Sequence, residues 1–597
     1  MWPLIITILV ILVAIILLIA TRLRPDLIAL MVMLSLGLTG VVDQTRIFSG
    51  FSSSAVMTIL GISMISVALQ QTGVANAIGR FIFRSSKRSE VLLILLVTLA
   101  SATLSLFMNN IAAVGVLLPA VMSLSRRSQT PPSRLLMPLA FGTILGGMAT
   151  LLTTSNIIVS GALKDAGLPS FGMLDYFPIG APVVVVGILY IITLGRKLLP
   201  RTQTTDQDQS PRELSERLKK LYLLDKNLTH LLVLPGSPLA NQTIAAGGWS
   251  SQINLIILGV VRNKKNLFAP PSQTVILDGD IVVARGIFEP RQLEGLRLER
   301  VPSSSINPSL TDNMNPLAEV ILSPHSRLIG KNLCEINFRV SYGLTVLSIW
   351  RQGKPLLTNY SKLNLQVGDA LLVQGSAENI HQLQQDQDLL LLEEDPDTVF
   401  LPKKLVLAVL ITLVTLSIAA VGILPVAQVV LAGAVLLLLT GCMNLNDAFH
   451  RIEWKAIFLI AGMWPLTIAI RETGLATGLI DFLLKLLGPV SPLVVAAFFL
   501  FLSMLFTQLM SGPVAPIIIF PLALTAAQHF GIDPRPLALA VALGCSLAFI
   551  TPLGHPVNIM VMNPGGYTFK DFFRVGLPLT IIAFFTILAG LHFIWGL

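Results

Sequence analysis

The chain has 597 residues, of which 53% are hydrophobic and only 12% charged, with a mean hydropathy of +0.77. A soluble globular protein carries about 25% charged residues, so this composition sets the chain apart from soluble enzymes and binding modules. The formal charge of +9 does not argue for nucleic acid, because in a membrane chain basic residues mark the cytoplasmic side.

The first charge-free run covers residues 2–20. It has no basic n-region and no small-residue cleavage site, and Arg22 and Arg24 follow it; it reads as a retained first span rather than a signal peptide. Further apolar runs occupy 27–42, 56–69 and 183–194, then 405–420, 426–442 and 577–597. A span needs about 20 residues, and with their flanks most of these runs reach it. The expected fold is a polytopic α-helical membrane protein. Cys334, Cys442 and Cys545 are scattered and show neither metal spacing nor a disulfide framework.

Hydropathy separates two membrane blocks from a polar centre. The expected organisation is a first membrane repeat at 1–199, a charged linker at 200–220, two soluble units at 221–300 and 301–390, and a second membrane repeat at 391–597. The membrane blocks echo each other. Pro119 matches Pro521, Gly142 matches Gly544 and Asn156 matches Asn558, all at an offset of 402. Near each block's end, "DYFPIGAP" is answered by "DFFRVGLP". Shared apolar composition would scatter such identities, not hold one offset.

Within the first block, "FMNNIAAVGVLLP" places Asn109 and Asn110 inside an apolar run. Basic clusters follow the first span (Arg22, Arg24), the third (Arg80, Arg84, Lys87, Arg88), the Asn110 segment (Arg126, Arg127, Arg134) and the block's last span (Arg196, Lys197, Arg201). All four fall on the cytoplasmic face if the Asn109 segment is a re-entrant hairpin. Each block then crosses the membrane five times, the two copies are inverted, and both termini lie outside the cytoplasm. Inverted repeats with broken helices characterise secondary transporters, with their site at mid-membrane.

The centre is also duplicated. Arg262 aligns with Arg351 and Asp280 with Asp369 at an offset of 89. Short alternating runs between Gly-Asp turns read as strands. The "GD" patterns in "LDGDIVVARG" and "QVGDALLVQG" resemble those of TrkA-C domains. No Gly-rich dinucleotide fingerprint precedes either copy, so no organic cofactor is expected.

Four polar clusters are candidates for a transport site. The first is the hairpin tip, Asn109-Asn110; for a lone asparagine a simple interhelical hydrogen bond would suffice, but an adjacent pair at a tip offers carbonyls and amides to an ion. The second is "GGMATLLTTSN", with Gly147, Thr150, Thr153, Thr154, Ser155 and Asn156, which reads as a discontinuous helix. The third and fourth are the copies, Ser511-Gly512 in "MSGPVAP" and Thr551, His555 and Asn558 in "ITPLGHPVN". Pro552 and Pro556 preclude a regular helix there, and His555 has a donor to offer an anion. Asp175, Asp571 and Glu472 sit near span ends, leaving little for proton relay through a buried acid. No nucleophile–base pair suggests an enzyme.

The chain resembles the divalent anion–sodium symporter family of the ion transporter superfamily. In that family each hairpin tip carries a Ser-Asn-Thr motif ten residues before a proline. The same spacing here gives Asn109-Asn110-Ile111 before Pro119 and Ser511-Gly512-Pro513 before Pro521, so Asn110 and Ser511 keep the motif and their neighbours depart from it. The resemblance implies two Na⁺ sites built from Asn109, Asn110, Gly147, Thr150, Ser511, Gly512, Ile550 and Thr551. It implies a substrate held by Asn110, Thr153, Thr154, Ser155, Asn156, Ser511, Gly512, His555 and Asn558. With the tandem TrkA-C-like insert it points to the sulfate-transporting branch: sodium-coupled import of a small inorganic anion, sulfate first, by a membrane-embedded homodimer working as an elevator. A small regulatory ligand at the TrkA-C units is a further expected partner, and nucleic acid is not. Di- or tricarboxylate, phosphate or arsenite transport are the alternatives within the superfamily. A ligand-gated channel or sensor is the alternative outside it.

Overall fold

The computed structural model describes all residues except 1, 21–22, 75–76, 79–88, 201–227, 245–246, 248, 250–254, 263–264, 269, 271–272, 287–289, 302–316, 324–325, 352–353, 357–362, 384–385, 387, 392–401, 479, 482–490 and 511–512. The expected linker at 200–220 therefore lies outside the described residues, apart from residue 200, as does the basic cluster Arg80, Arg84, Lys87 and Arg88.

The first block consists of helices α1 (Trp2–Ala20), α2 (Pro25–Leu38), α3 (Ser54–Gln71), α4 (Glu90–Ser105), α5 (Asn110–Ser128), α6 (Pro132–Gly147), α7 (Thr154–Asp165) and α8 (Phe177–Tyr190). The last block consists of α9 (Pro402–Val421), α10 (Val426–Leu439), α11 (Trp454–Glu472), α12 (Pro492–Leu509), α13 (Val514–Phe530), α14 (Pro534–Ser546), α15 (Pro556–Met562) and α16 (Phe569–Trp595). Six of the described helical stretches are long and apolar enough to cross a bilayer, and the shorter ones include the broken helices discussed below.

Local chemistry explains where these helices begin and end. Pro132 and Pro534 open α6 and α14, where a missing N–H costs nothing because the first-turn amides have no intrahelical acceptor. Thr72-Gly73 and Thr473-Gly474 close α3 and α11, with the glycines in the left-handed region at φ 79° and 74°. Pro552 and Pro556 act as expected: Pro552–Gly554 is a single 3₁₀ turn and α15 restarts at Pro556.

Packing is reciprocal between the blocks. Helix α2 lies on α11 while α10 lies on α3, and α7 meets α13 and α14 while α15 meets α5 and α6. Within each block, α4 packs on α6 and α12 on α14. Both of these contacts use a glycine. A Cβ on Gly142 would collide with Ser101 and Thr98, and one on Gly544 with Leu500 and Ser503; small residues let helices approach closely in an apolar medium. Every residue of α6 after Pro132 and nearly all of α14 is buried, so these two form the centre. Helices α1 and α9 expose large apolar side chains such as Leu9, Ile16, Val406 and Leu410, as suits a lipid-facing position.

The middle of the chain forms two antiparallel sheets. Strands β1 (Leu228–Val233), β2 (Leu255–Arg262), β3 (Lys265–Phe268), β4 (Ile281–Gly286) and β5 (Leu298–Arg300) are ordered β3-β2-β4-β1-β5. Strands β6 (Leu317–Leu322), β7 (Thr345–Arg351), β8 (Lys354–Leu356), β9 (Ala370–Gln374) and β10 (Leu389–Leu391) repeat that order as β8-β7-β9-β6-β10. A bulge falls at Ile257/Gly259 in one and Val346/Ser348 in the other. In each, an arginine grips the aspartate of the Gly-Asp turn: Arg262 Nη2 is 2.7 Å from Asp280 and Arg351 Nη2 is 2.6 Å from Asp369.

Candidate functional site

Helices α4 and α5 form a hairpin around a turn at 106–109, and the two asparagines stand where α5 begins. Asn109 Oδ1 accepts the backbone N–H of Ile111 at 2.8 Å, satisfying a first-turn amide. Its Nδ2 donates to the carboxylate of Glu453, just before α11. Asn110 is buried, with its amide between Ser105 Oγ at 2.5 Å and His555 Nε2 at 3.4 Å. Gly147, the last residue of α6, faces it: a Cβ there would lie 2.7 Å from Asn110 Oδ1.

The discontinuity expected in "GGMATLLTTSN" is present, since α6 stops at Gly147 and α7 starts at Thr154. Asn156 ties the break together, donating to the Thr150 carbonyl at 2.7 Å. Asn558 does the same in the second break, donating to the carbonyls of Ala548 at 2.8 Å and Thr551 at 3.2 Å. Both asparagines are fully buried and neither lines the cavity described next. Their amide nitrogens staple the two loops, while each side-chain oxygen is buried with no hydrogen-bond partner among the described residues. The hydroxyl of Thr150 stays within its loop, accepting from Leu152 N–H at 3.4 Å. Ile550 and Thr551 belong to the second loop and also stand off the cavity; the Thr551 hydroxyl donates to Gln508 Oε1 at 3.3 Å, and Gln508 in turn donates to the Leu547 carbonyl at 2.7 Å. Ser511 and Gly512 lie outside the described residues, but the adjoining Pro513 reaches the cavity.

That cavity holds about 280 Å³ and is walled by Asn109, Asn110, Thr153, Thr154, Ser155 and His555, with Pro556 and Pro513 beside them. The Thr153 hydroxyl is buried and has no hydrogen-bond partner among the described residues. His555 accepts the Val557 N–H on Nδ1 at 3.3 Å, so a neutral ring carries its proton on Nε2. Asn110 Nδ2, 3.4 Å away, is also a donor, so the two cannot satisfy each other and both offer protons to an acceptor.

The electrostatics follow from which helix ends are present. Helices α5 and α7 open at the cavity with Asn110 and Thr154, α15 with Pro556, and α13 directly after Pro513. The aligned peptide dipoles make such ends favourable for anions, although the Ile111 and Val557 amides are already taken by Asn109 and His555. On the facing wall Lys455 supplies a cation and Glu453 a carboxylate, the charged side chains among the described lining residues. A second cavity of about 250 Å³ includes Arg46, Asp165, Trp464 and Arg471. Helix α7 runs from Thr154 in the first cavity to Asp165 in the second, and α11 from Lys455 to Arg471.

Sequence reasoning missed Glu453, Lys455 and Gln508. The signal for the first two was a break in the repeat: at the offset of 401 that relates Thr72-Gly73 to Thr473-Gly474, "EWK" faces "SSS" from Ser52, so charge appears where the other copy has none. The span-end acids are accounted for peripherally: Asp175 pairs with Arg535 at 2.8 Å, Glu472 with Arg46 at 2.5 Å, and Asp571 caps α16.

Broken helices ending at a polar cavity inside a bundle of apolar helices define an integral membrane transporter. The family model for citrate transporters matches residues 15–544, and the chain belongs to that family, within the ion transporter superfamily. It is 31% identical to an uncharacterized transporter of Escherichia coli over 96% of this chain and 95% of that one. It is 30% identical to an uncharacterized transporter of Synechocystis over 96% and 94%. The sodium/sulfate cotransporter 2 of Chlamydomonas reinhardtii is 26% identical over 58% of this chain and 41% of its own length.

Proposed function

We propose that the protein is a sodium-coupled importer of a small divalent oxyanion, with sulfate as the first candidate. The observation that carries this reading is the convergence of four helix N-termini, with the His555 Nε2–H and the Lys455 ammonium, on one cavity. Such a site is built to accept negative charge through amides, hydroxyls and dipoles. The likeness to a sodium/sulfate cotransporter supports sulfate and sodium together. Sodium would take carbonyl and hydroxyl oxygens in the clusters Ser105–Asn110–Gly147–Thr150 and Gln508–Ile550–Thr551, with Ser511 and Gly512 contributing to the second.

The reciprocal packing of the two blocks supports inverted repeats, each of five spans and a re-entrant hairpin. In this reading α4–α7 and α12–α15, the hairpins and the broken spans, carry the substrate against a scaffold of the other helices, in an elevator-type motion within a homodimer. The two sheets, with their shared strand order and Arg–Asp pairs, are cytoplasmic TrkA-C-like units that regulate transport or assembly, and both termini face away from the cytoplasm. A second reading is citrate, favoured by the description of the matching family. Uptake into proteoliposomes of labelled sulfate, succinate, phosphate and citrate, each with and without a sodium gradient, separates them. Sodium-dependent citrate uptake without sulfate uptake would overturn the sulfate reading.

A further inference from the structure

The two sheets share a fold but not a setting. In the second, the turn from Gln366 to Asp369 is rigid: Asp369 is 1% exposed, receives Arg351 at 2.8 and 2.6 Å, and accepts the Gln366 N–H at 2.8 Å. This turn touches the membrane block. Val367 forms part of the wall of the candidate cavity. Gly368 accepts a hydrogen bond from Asn563 on its carbonyl. It has φ +81°, and a Cβ there would lie 2.8 Å from the Ile559 carbonyl of α15, so the docked turn requires glycine on both counts.

The first sheet supplies the control. Its turn from Leu277 to Asp280 has the same Arg262–Asp280 pair and the same hydrogen bond from Leu277 N–H to Asp280. Gly279 has φ +82°, yet nothing lies within 4 Å of where its Cβ would be. The turn therefore folds without docking. The tips differ in chemistry as well, since Asp278 stands where the second sheet has Val367. Around the second tip, Ile321 and Ala370 are buried in the apolar cluster of the membrane block, with Trp350 and Leu390 packed against it. Each sheet keeps a core of its own, but no residue of the first sheet's core is shared with the membrane block's cluster. Strand β10 also lies against α5, so the second sheet bears on both helices that present Asn110 and His555.

We propose that the docked second sheet is an intramolecular brake: it seats Val367 in the cavity wall, holds α5 and α15 in the present arrangement, and must release them for the transport cycle to proceed. A contact made in one state and lost in another biases the equilibrium by its own free energy. The inference rests on the transporter reading but not on which anion is carried.

The test uses the full-length protein in proteoliposomes, with Cys334→Ser as background because Cys334 is exposed. Val367→Ser and Asn563→Ala weaken the docking from its two sides. Asn563→Ala is expected to raise the initial uptake rate about fivefold, the population shift that losing one ordinary hydrogen bond gives, and Val367→Ser, which gives up apolar contact, to raise it in the same direction. Val367→Cys with Asn563→Cys, joined by a short bifunctional thiol reagent, is expected to abolish uptake until a cleavable linker is reduced. Undocking variants at or below the wild-type rate, or a cross-linked protein that still transports, would overturn the brake. If the wild type carries none of sulfate, succinate, phosphate or citrate, the substrate reading fails instead. The docking is then read from the cross-link itself in membranes: its formation upholds the contact, and its failure to form overturns it.

Discussion

Asn110 and His555 meet at 3.4 Å although 445 residues separate them. Each stands at the start of a helix that opens on the cavity, Asn110 on α5 and His555 just before α15. The pair joins the two membrane blocks at the point where anion-favouring helix ends converge. Removing either partner should therefore act on substrate binding more than on folding. Asn110→Ala is expected to lower the uptake efficiency by about 10- to 100-fold, the range for losing a hydrogen bond to a charged ligand. His555→Gln, which keeps a donor, should retain more activity than His555→Ala. Radiolabelled uptake at several anion concentrations reads both, and wild-type efficiency in Asn110→Ala would remove this pair from the site.

Lys455 and Glu453 line the same cavity from the α11 side, and Glu453 also accepts from Asn109. Neutralising the cation with Lys455→Met should raise the KM for the anion by up to about fivefold, as expected for one partly exposed charge. Glu453→Gln removes a negative charge while leaving an acceptor for Asn109, so it should lower KM. Both effects should shrink as ionic strength rises, because the cavity is open to screening by salt. Equal KM values for the two variants at low salt would show that neither charge faces the substrate.

Asn156 and Asn558 were legible in the sequence as a matched pair at offset 402, but their task was not. Read as residue types, two amides near a broken helix look like ligands. In the structure each spends its amide nitrogen on loop carbonyls, Thr150 in one case and Ala548 and Thr551 in the other. Asn156→Leu or Asn558→Leu would leave those buried carbonyls without a partner, costing about 1–3 kcal/mol each. The expected result is a lower melting temperature in detergent for both variants, with the anion's KM little changed where the protein still folds. A higher KM at unchanged stability would show that their unpartnered side-chain oxygens also serve the substrate.

What the sequence made legible was whatever depends on local chemistry. Prolines and glycines at fixed spacing marked the helix breaks after Gly147 and before Pro556, and Gly-Asp turns marked the paired strands. The sequence could not reveal contacts set by tertiary approach. Nothing in "EWK" says that Glu453 meets Asn109, and nothing in "QVGD" says that its valine reaches the membrane block while the matching "LDGD" stays clear. Both depend on how blocks fold back over hundreds of residues. They are visible in the sequence only as departures from the internal repeat, charge for serine in one case and valine for aspartate in the other.

The far end of α7 offers a separate test of the motion. Trp464 Nε1 on α11 donates to Asp165 at the end of α7 at 2.9 Å, beside the second cavity. If α7 travels with the substrate and α11 stays in the scaffold, this bond must break in every cycle. Trp464→Phe keeps the aromatic packing and deletes the donor. That change should weaken the present state by about 1 kcal/mol, enough to shift a two-state population roughly fivefold. The expected outcome is a changed maximal uptake rate with little change in KM, since neither residue lines the candidate anion cavity. Asp165→Asn, which can still accept from the indole, should behave nearly like the wild type. A maximal rate unaffected by Trp464→Phe would mean that α7 and α11 move together, and the division into carrier and scaffold would have to be redrawn between other helices.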